Sequence, residues 1–102
     1  MIKKNYLPER GDIVQIKGKT HAVVISPKEY NEKTGLGLFC PITDKVKDYP
    51  FEVKITNEKI NGAVLTDQIK SLDWKTQDIE FIAKIPPETL EEIMGKIVVL
   101  LE

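Results

Sequence analysis

A mainly β fold with a C-terminal helix is the class this sequence predicts, on three observations. Short β-branched stretches recur between turn signals, as in Ile13-Val14-Gln15-Ile16 and Ala22-Val23-Val24-Ile25. Phe51, Val53 and Ile55 alternate with Glu52 and Lys54, the period of a strand with one wet face. The period changes only near the end, where Leu90, Ile93, Met94, Ile97 and Leu101 fall at helical spacing.

The elements follow in order. Gly11-Asp12 after Pro8 reads as a turn into the first strand, Ile13 to Ile16. Lys17-Gly18-Lys19-Thr20 is short and contains glycine, which fits a tight hairpin. His21 to Ile25 is almost continuously apolar, so both of its faces should be covered. Ser26-Pro27 ends it, because proline removes a ladder donor. Tyr30 to Gly35 is polar and turn-like. Leu36 to Cys40 reads as a strand stopped by Pro41, and Asp44 to Pro50 as a charged loop.

Phe51 to Ile55 is the next strand. Asn61-Gly62 carries a strong tight-turn signal and leads into Ala63 to Thr66. Phe81, Ala83 and Ile85 alternate with Glu80 and Lys84 as a last strand. Pro87 suits a first helical turn, and Glu88, Glu91 and Glu92 complement the N-terminal end of the helix dipole.

Composition narrows the function. A chain of 102 residues predicts one core, and 41% hydrophobic residues are enough to fill it. No apolar run approaches the roughly 20 residues that span a bilayer. Met1 to Tyr6 has lysines but no apolar segment behind them, unlike a secretory signal. Cys40 is the one cysteine, so no internal disulfide forms, and a cytoplasmic location is expected. The net charge of −1 argues against a large nonspecific nucleic-acid footprint and leaves room for a small local basic groove.

Several segments then follow one another in a telling order. They are Tyr6-Leu7-Pro8 with Gly11-Asp12, Ala22 to Pro27, Tyr30-Asn31 through Gly35, and Cys40-Pro41-Ile42-Thr43. Tyr49 to Val53, Val64 to Trp74, and Pro87-Glu88 with Leu90 complete the series. None is specific alone, but their order and spacing resemble the MazF/PemK family, toxins of bacterial type II toxin–antitoxin systems. The resemblance implies that residues 1–102 form a single domain, an SH3-like small curved barrel of the CcdB-like type. It also implies a homodimer and sequence-selective endoribonuclease activity on single-stranded RNA, with no metal or other cofactor. In that chemistry the ribose 2′-hydroxyl attacks the adjacent phosphate, leaving a cyclic phosphate and a 5′-hydroxyl. The implied partner is a small acidic antitoxin protein whose extended tail fills the RNA groove.

Such chemistry needs a group to take the 2′-hydroxyl proton and donors or cations to hold the crowded phosphate. Thr43 matches the family's threonine after the second buried strand. Thr20 stands at the position of the family's arginine and His21 at that of the following proline, and the loop from Lys17 to Thr20 is shorter than in typical members. Threonine lacks arginine's charged fork. Histidine titrates near neutrality and is an acid–base candidate, against the alternative of a surface strand-end residue. Lys17 and Lys19 are candidate phosphate contacts in place of the arginine.

Asp67 lies where part of the family places a general base, although Leu65 occupies that branch's second arginine position. The other reading of Asp67 is a turn carboxylate. Gln68 and Lys70 are candidate base and phosphate contacts. Trp74 and Tyr49 could stack bases but fit packing better, and Cys40 fits a small core residue. Three activities remain open at this level. One is cleavage through His21, Lys19 and Thr43. Another is a catalytically weakened member that binds antitoxin or RNA without cutting, and the third is a generic SH3-like interaction domain.

Overall fold

A computed structural model describes residues 6–102; Met1 to Asn5, most of the stretch compared with a secretory signal, lies outside them. Strands β1 (Asp12–Ile16) and β2 (Thr20–Val24) come first, followed by helix α1 (Lys28–Thr34) and β3 (Leu36–Thr43). Strands β4 (Glu52–Thr56), β5 (Asn61–Leu65), β6 (Lys70–Asp73) and β7 (Ile79–Lys84) precede helix α2 (Pro87–Leu101). Among the described residues the seven strands form one sheet in the order β4-β5-β3-β2-β1-β7, with β6 also paired to β3. Every pairing is antiparallel. The architecture is a curved half-barrel with a C-terminal helix, as the sequence predicts.

The apolar run in β2 is covered on both faces. Val23 joins Ile13, Cys40, Val64 and the helix residues Ile93 and Ile97 in the main core. Ala22 and Val24 face the other way, into a second cluster with Val14, Phe39 and Ile79. Burial pushes the Cys40 thiol up to about 12, with the Asp67 charge adding to the shift. That thiol is a core group and a poor nucleophile at neutral pH.

Strand β3 organises the half-barrel. Its first half pairs with β6, Leu36 to Phe39 against Lys70 to Asp73, and its end pairs with β5 through Ile42 and Thr43. Pro41 does not stop this strand. Leu38 faces β2 with both backbone groups, accepting from Ile25 N–H and donating to Ser26 Oγ. Backbone groups alternate sides along a strand, so Pro41 turns its nitrogen away from β2. It falls in the gap between the β6 and β5 ladders, where no donor is required.

Four further expectations are corrected. The segment around Tyr30 to Gly35 contributes to helix α1 rather than a turn. Its buried residue is polar, so no apolar stripe announced it. Asn31 Oδ1 accepts from Ser26 Oγ at 2.5 Å, and Asn31 Nδ2 donates to the Pro8 carbonyl at 2.8 Å. Asn61-Gly62 lies within β5; the turn precedes it, where Asn57 Oδ1 accepts from the Lys59 and Ile60 N–H groups. Phe81 is 44% exposed and rests 6.0 Å from the Tyr6 ring, because a register shift between Ile13 and Val14 interrupts the β1–β7 alternation. Leu101 is 79% exposed, while Ile93 and Ile97 are the buried residues of α2.

Two carboxylates hold the frame. Asp12 Oδ2 accepts from Tyr6 OH at 2.5 Å and Glu9 N–H at 3.0 Å, and Oδ1 lies 2.7 Å from Lys84 Nζ. Burial and then Asp12 drive the Tyr6 phenol far above its ordinary value. Glu52 accepts from the Lys47 and Asp48 N–H groups and fixes the loop that follows Thr43. No helix among the described residues is long and apolar enough to cross a membrane.

Candidate active site

The hairpin between β1 and β2 builds one wall. Lys17 and Gly18 both have positive φ, 56° and 66°, and Lys19 N–H donates to the Ile16 carbonyl at 3.0 Å. This is a type I′ turn, whose twist suits paired strands, and Gly18 meets its backbone demand without steric cost. The tight turn leaves Lys17, Lys19 and Thr20 exposed at the rim, directly before His21.

Strand β3 builds the other wall. His21 pairs with Ile42, and each step along β2 is matched by one back along β3. The same register carried one residue further sets Thr20 opposite Thr43. Thr20 and Thr43, both singled out in the sequence, therefore lie at the same end of the β2–β3 ladder. Thr43 Oγ1 accepts from Lys45 N–H at 3.0 Å, which fixes the hydroxyl and leaves its proton free to be donated.

Two clefts open along this wall. The first, about 300 Å³, is lined by Lys19, Thr20, His21, Thr43, Asp44 and Asn61, among others. The second, about 260 Å³, is lined by Lys17, Thr20, His21, Lys70 and Gln77 over an apolar floor. Thr20 and His21 belong to both, so the clefts share a wall. The second cleft has two lysines and no carboxylate in its lining, a local basic site on a chain of net charge −1. Phosphate is the ligand such a site attracts.

The structure thus groups six of the eight residues that sequence reasoning selected: Thr43, His21, Lys17, Lys19, Thr20 and Lys70. Asp67 and Gln68 lie between β5 and β6 and line neither cleft. Asp67 Oδ1 accepts from Tyr49 OH at 2.6 Å. That hydrogen bond is the main cause pushing the Tyr49 phenol up to about 12. Trp74 is half-buried against the second cluster and donates from Nε1 to the Asn31 carbonyl at 3.0 Å, the packing role favoured above.

Sequence reasoning missed Gln77, Asp44 and Asn61. Gln77 sits in the turn between β6 and β7, far along the chain from His21, and carries no motif of its own. Among the described residues no group of three or more His, Cys, Asp or Glu side chains is placed to hold a metal ion.

Residues 5–101 match the family model of the PemK-like, MazF-like toxins of type II toxin–antitoxin systems. The chain belongs to this family. It is 37% identical to the endoribonuclease toxin MazF of Escherichia coli (strain K12), over 94% of this chain and 96% of that one. A crystal structure of MazE–MazF from Deinococcus radiodurans superposes with a TM-score of 0.91 at 40% identity, covering 95% of this chain and 98% of that one. An endoribonuclease from a mycobacterial species shares the fold alone, at 18% identity and a TM-score of 0.82, over 94% of this chain and 92% of that one.

Proposed function

We propose that this chain is the toxin of a type II toxin–antitoxin pair and acts as an endoribonuclease on single-stranded RNA. Family membership supports the reaction class, and one observation carries the assignment of residues. Thr20 and His21 form the wall shared by two clefts, with Thr43 on one side and the Lys17–Lys70 pair on the other.

In this proposal the RNA backbone crosses the shared wall. His21 takes the proton of a ribose 2′-hydroxyl as its oxygen attacks the adjacent phosphorus. The bond from phosphorus to the 5′-oxygen breaks, and that oxygen gains a proton, so none is consumed overall. Thr43 Oγ1 donates to a phosphate oxygen as negative charge builds. Lys17, Lys19 and Lys70 supply the positive charge that Thr20 cannot. Asp67 is the competing base and stands outside the clefts.

The basic second cleft also suits a carboxylate-rich peptide, so a small acidic antitoxin is the partner expected to block it. A cytoplasmic site of action follows from an RNA substrate. A homodimer would cover the apolar end of α2, where Val98, Val99 and Leu101 are 50%, 60% and 79% exposed.

The test is incubation of the purified protein with a long RNA in EDTA, with the new ends mapped. Cyclic phosphate and 5′-hydroxyl ends are expected. His21→Ala should slow cutting by roughly 100-fold or more, the usual weight of general acid–base catalysis. Asp67→Asn should cost much less. Uncut RNA would overturn the activity; a large loss confined to Asp67→Asn would move the base from His21 to Asp67.

A further inference from the structure

Residues Asp44 to Asp48 directly follow Thr43 and are all exposed, so this stretch has no apolar anchor of its own. Its two ends are nonetheless fixed. Near the start, Lys45 N–H is the group that holds Thr43 Oγ1. At the far end, Asp48 has a positive φ of 64°, a conformation uncommon outside glycine, asparagine and aspartate.

Two side chains of β4 reach this loop. Lys54 Nζ lies 2.6 Å from Asp48 Oδ1, but the two side chains are 66% and 68% exposed, and ion pairs of that kind contribute little. Glu52 differs, being only 9% exposed. Its Oε1 accepts from Asp48 N–H at 2.8 Å and Lys47 N–H at 3.1 Å, and its Oε2 lies 3.1 Å from the same Lys47 nitrogen. A carboxylate accepting backbone N–H groups makes charge-assisted bonds, roughly twice as strong as neutral ones. Its own base is rigid. Glu52 pairs with Leu65 in the β4–β5 ladder, and the preceding Phe51 carbonyl accepts from both the N–H and the hydroxyl of buried Thr66.

Resting on the proposed part of Thr43 in cleavage, we infer that Glu52 is a positioning residue for that reaction. Its carboxylate clamps Lys47 and Asp48, and the clamp sets the path of the two residues before them. Lys45 N–H then holds the Thr43 hydroxyl in the orientation that donates to the phosphate. Glu52 lines neither cleft that contains His21, so it acts through the loop and not on RNA.

The test measures kcat and KM on a short RNA with a single cut site. Glu52→Ala should lower kcat by about 10- to 100-fold, since a misplacement of about 1 Å can cost that much, with KM little changed. Glu52→Gln should keep most of the activity, because an amide oxygen at the Oε1 position still accepts from both N–H groups. Glu52→Asp keeps the charge but falls one methylene short, and should resemble alanine; it also serves if the alanine variant fails to fold. Lys54→Met removes only the exposed pair and should cut as wild type does. In a Thr43→Val background Glu52→Ala should cost little more, because the two residues act as one unit. Wild-type kcat in Glu52→Ala would overturn the inference. So would a full further loss in the Thr43→Val background, or an equal loss in Lys54→Met.

Hydrogen exchange of the Lys45 amide, followed by NMR, reads the same link without RNA. Glu52→Ala should speed it by about 2- to 10-fold, the range one weakened hydrogen bond supplies, and Glu52→Gln should not. If wild type does not cut RNA, faster exchange in Glu52→Ala would support the clamp and overturn the nuclease reading. An unchanged exchange rate would overturn the clamp itself, whatever the fate of the nuclease reading.

Discussion

Gly62→Ala should damage the fold and the site together. Gly62 lies in β5, next to Ala63, which pairs with Thr43. A Cβ on Gly62 would overlap the Thr43 carbonyl oxygen and stand 3.1 Å from its carbonyl carbon. Both are backbone atoms, so no rotamer change relieves the clash, and β5 must move off the end of β3. The two strands share only two registered pairs, Ile42 with Val64 and Thr43 with Ala63. Overpacking costs about 1–3 kcal/mol and each weakened ladder bond about 0.5–1.5, which together suggest a loss of about 2–4 kcal/mol. At roughly 4–8 °C per kcal/mol for a domain of this size, Tm should fall by about 10 °C or more. Thermal unfolding by circular dichroism reads the stability. RNA cutting at a temperature where the variant is still folded reads the displacement of Thr43, and should also fall. Gly95→Ala is the control: a Cβ there meets nothing within 4 Å in α2, and removing a helical glycine should stabilise by about 0.5–1 kcal/mol. A Gly62→Ala protein with wild-type Tm and wild-type cutting would refute the reasoning.

Two other outcomes test the frame. Lys84→Met should cost about 1–3 kcal/mol in urea unfolding, because the Asp12 side chain, 3% exposed, loses its cation; Lys84→Arg should recover most of it. The hydrogen bond to Asp12 raises the Lys84 pKa, so its contribution is complete below the ordinary lysine value and is lost as pH rises through the raised one. Asp67→Asn should bring the Tyr49 phenol down from about 12, seen as one tyrosine ionising earlier in an ultraviolet titration. The folded value lies above the ordinary one, so the Tyr49–Asp67 contribution is present below about 10 and is lost as pH rises through about 12. An unchanged titration would mean that the hydrogen bond is absent in solution.

The legible parts of the fold were those with a period. The apolar run of β2 and the stripe in α2 recur at strand and helix spacing, and both elements formed where expected. Helix α1 was hidden because seven residues anchored by a buried asparagine carry no apolar period. Strand β6 was hidden because Lys70, Ser71 and Asp73 are exposed and only Leu72 is half-buried. Pro41 misled because a missing donor matters only where a neighbour asks for one, and the gap between β6 and β5 is a property of the assembled sheet.

The same division holds at the site. Residue order alone determined the family, the mainly β class and the candidates nearest the β1–β2 hairpin, because their register follows from local chain geometry. Which candidates share a cleft was decided by tertiary structure. The β2–β3 register, which pairs His21 with Ile42, brings Thr20 and Thr43 to one cleft, and the β6–β7 turn brings Gln77 to the rim beside Lys17 and Lys70. Asp67 and Gln68, also candidates in the sequence, fall outside both clefts. Contacts between residues tens of positions apart depend on strand order and sheet curvature, and no local pattern encodes either.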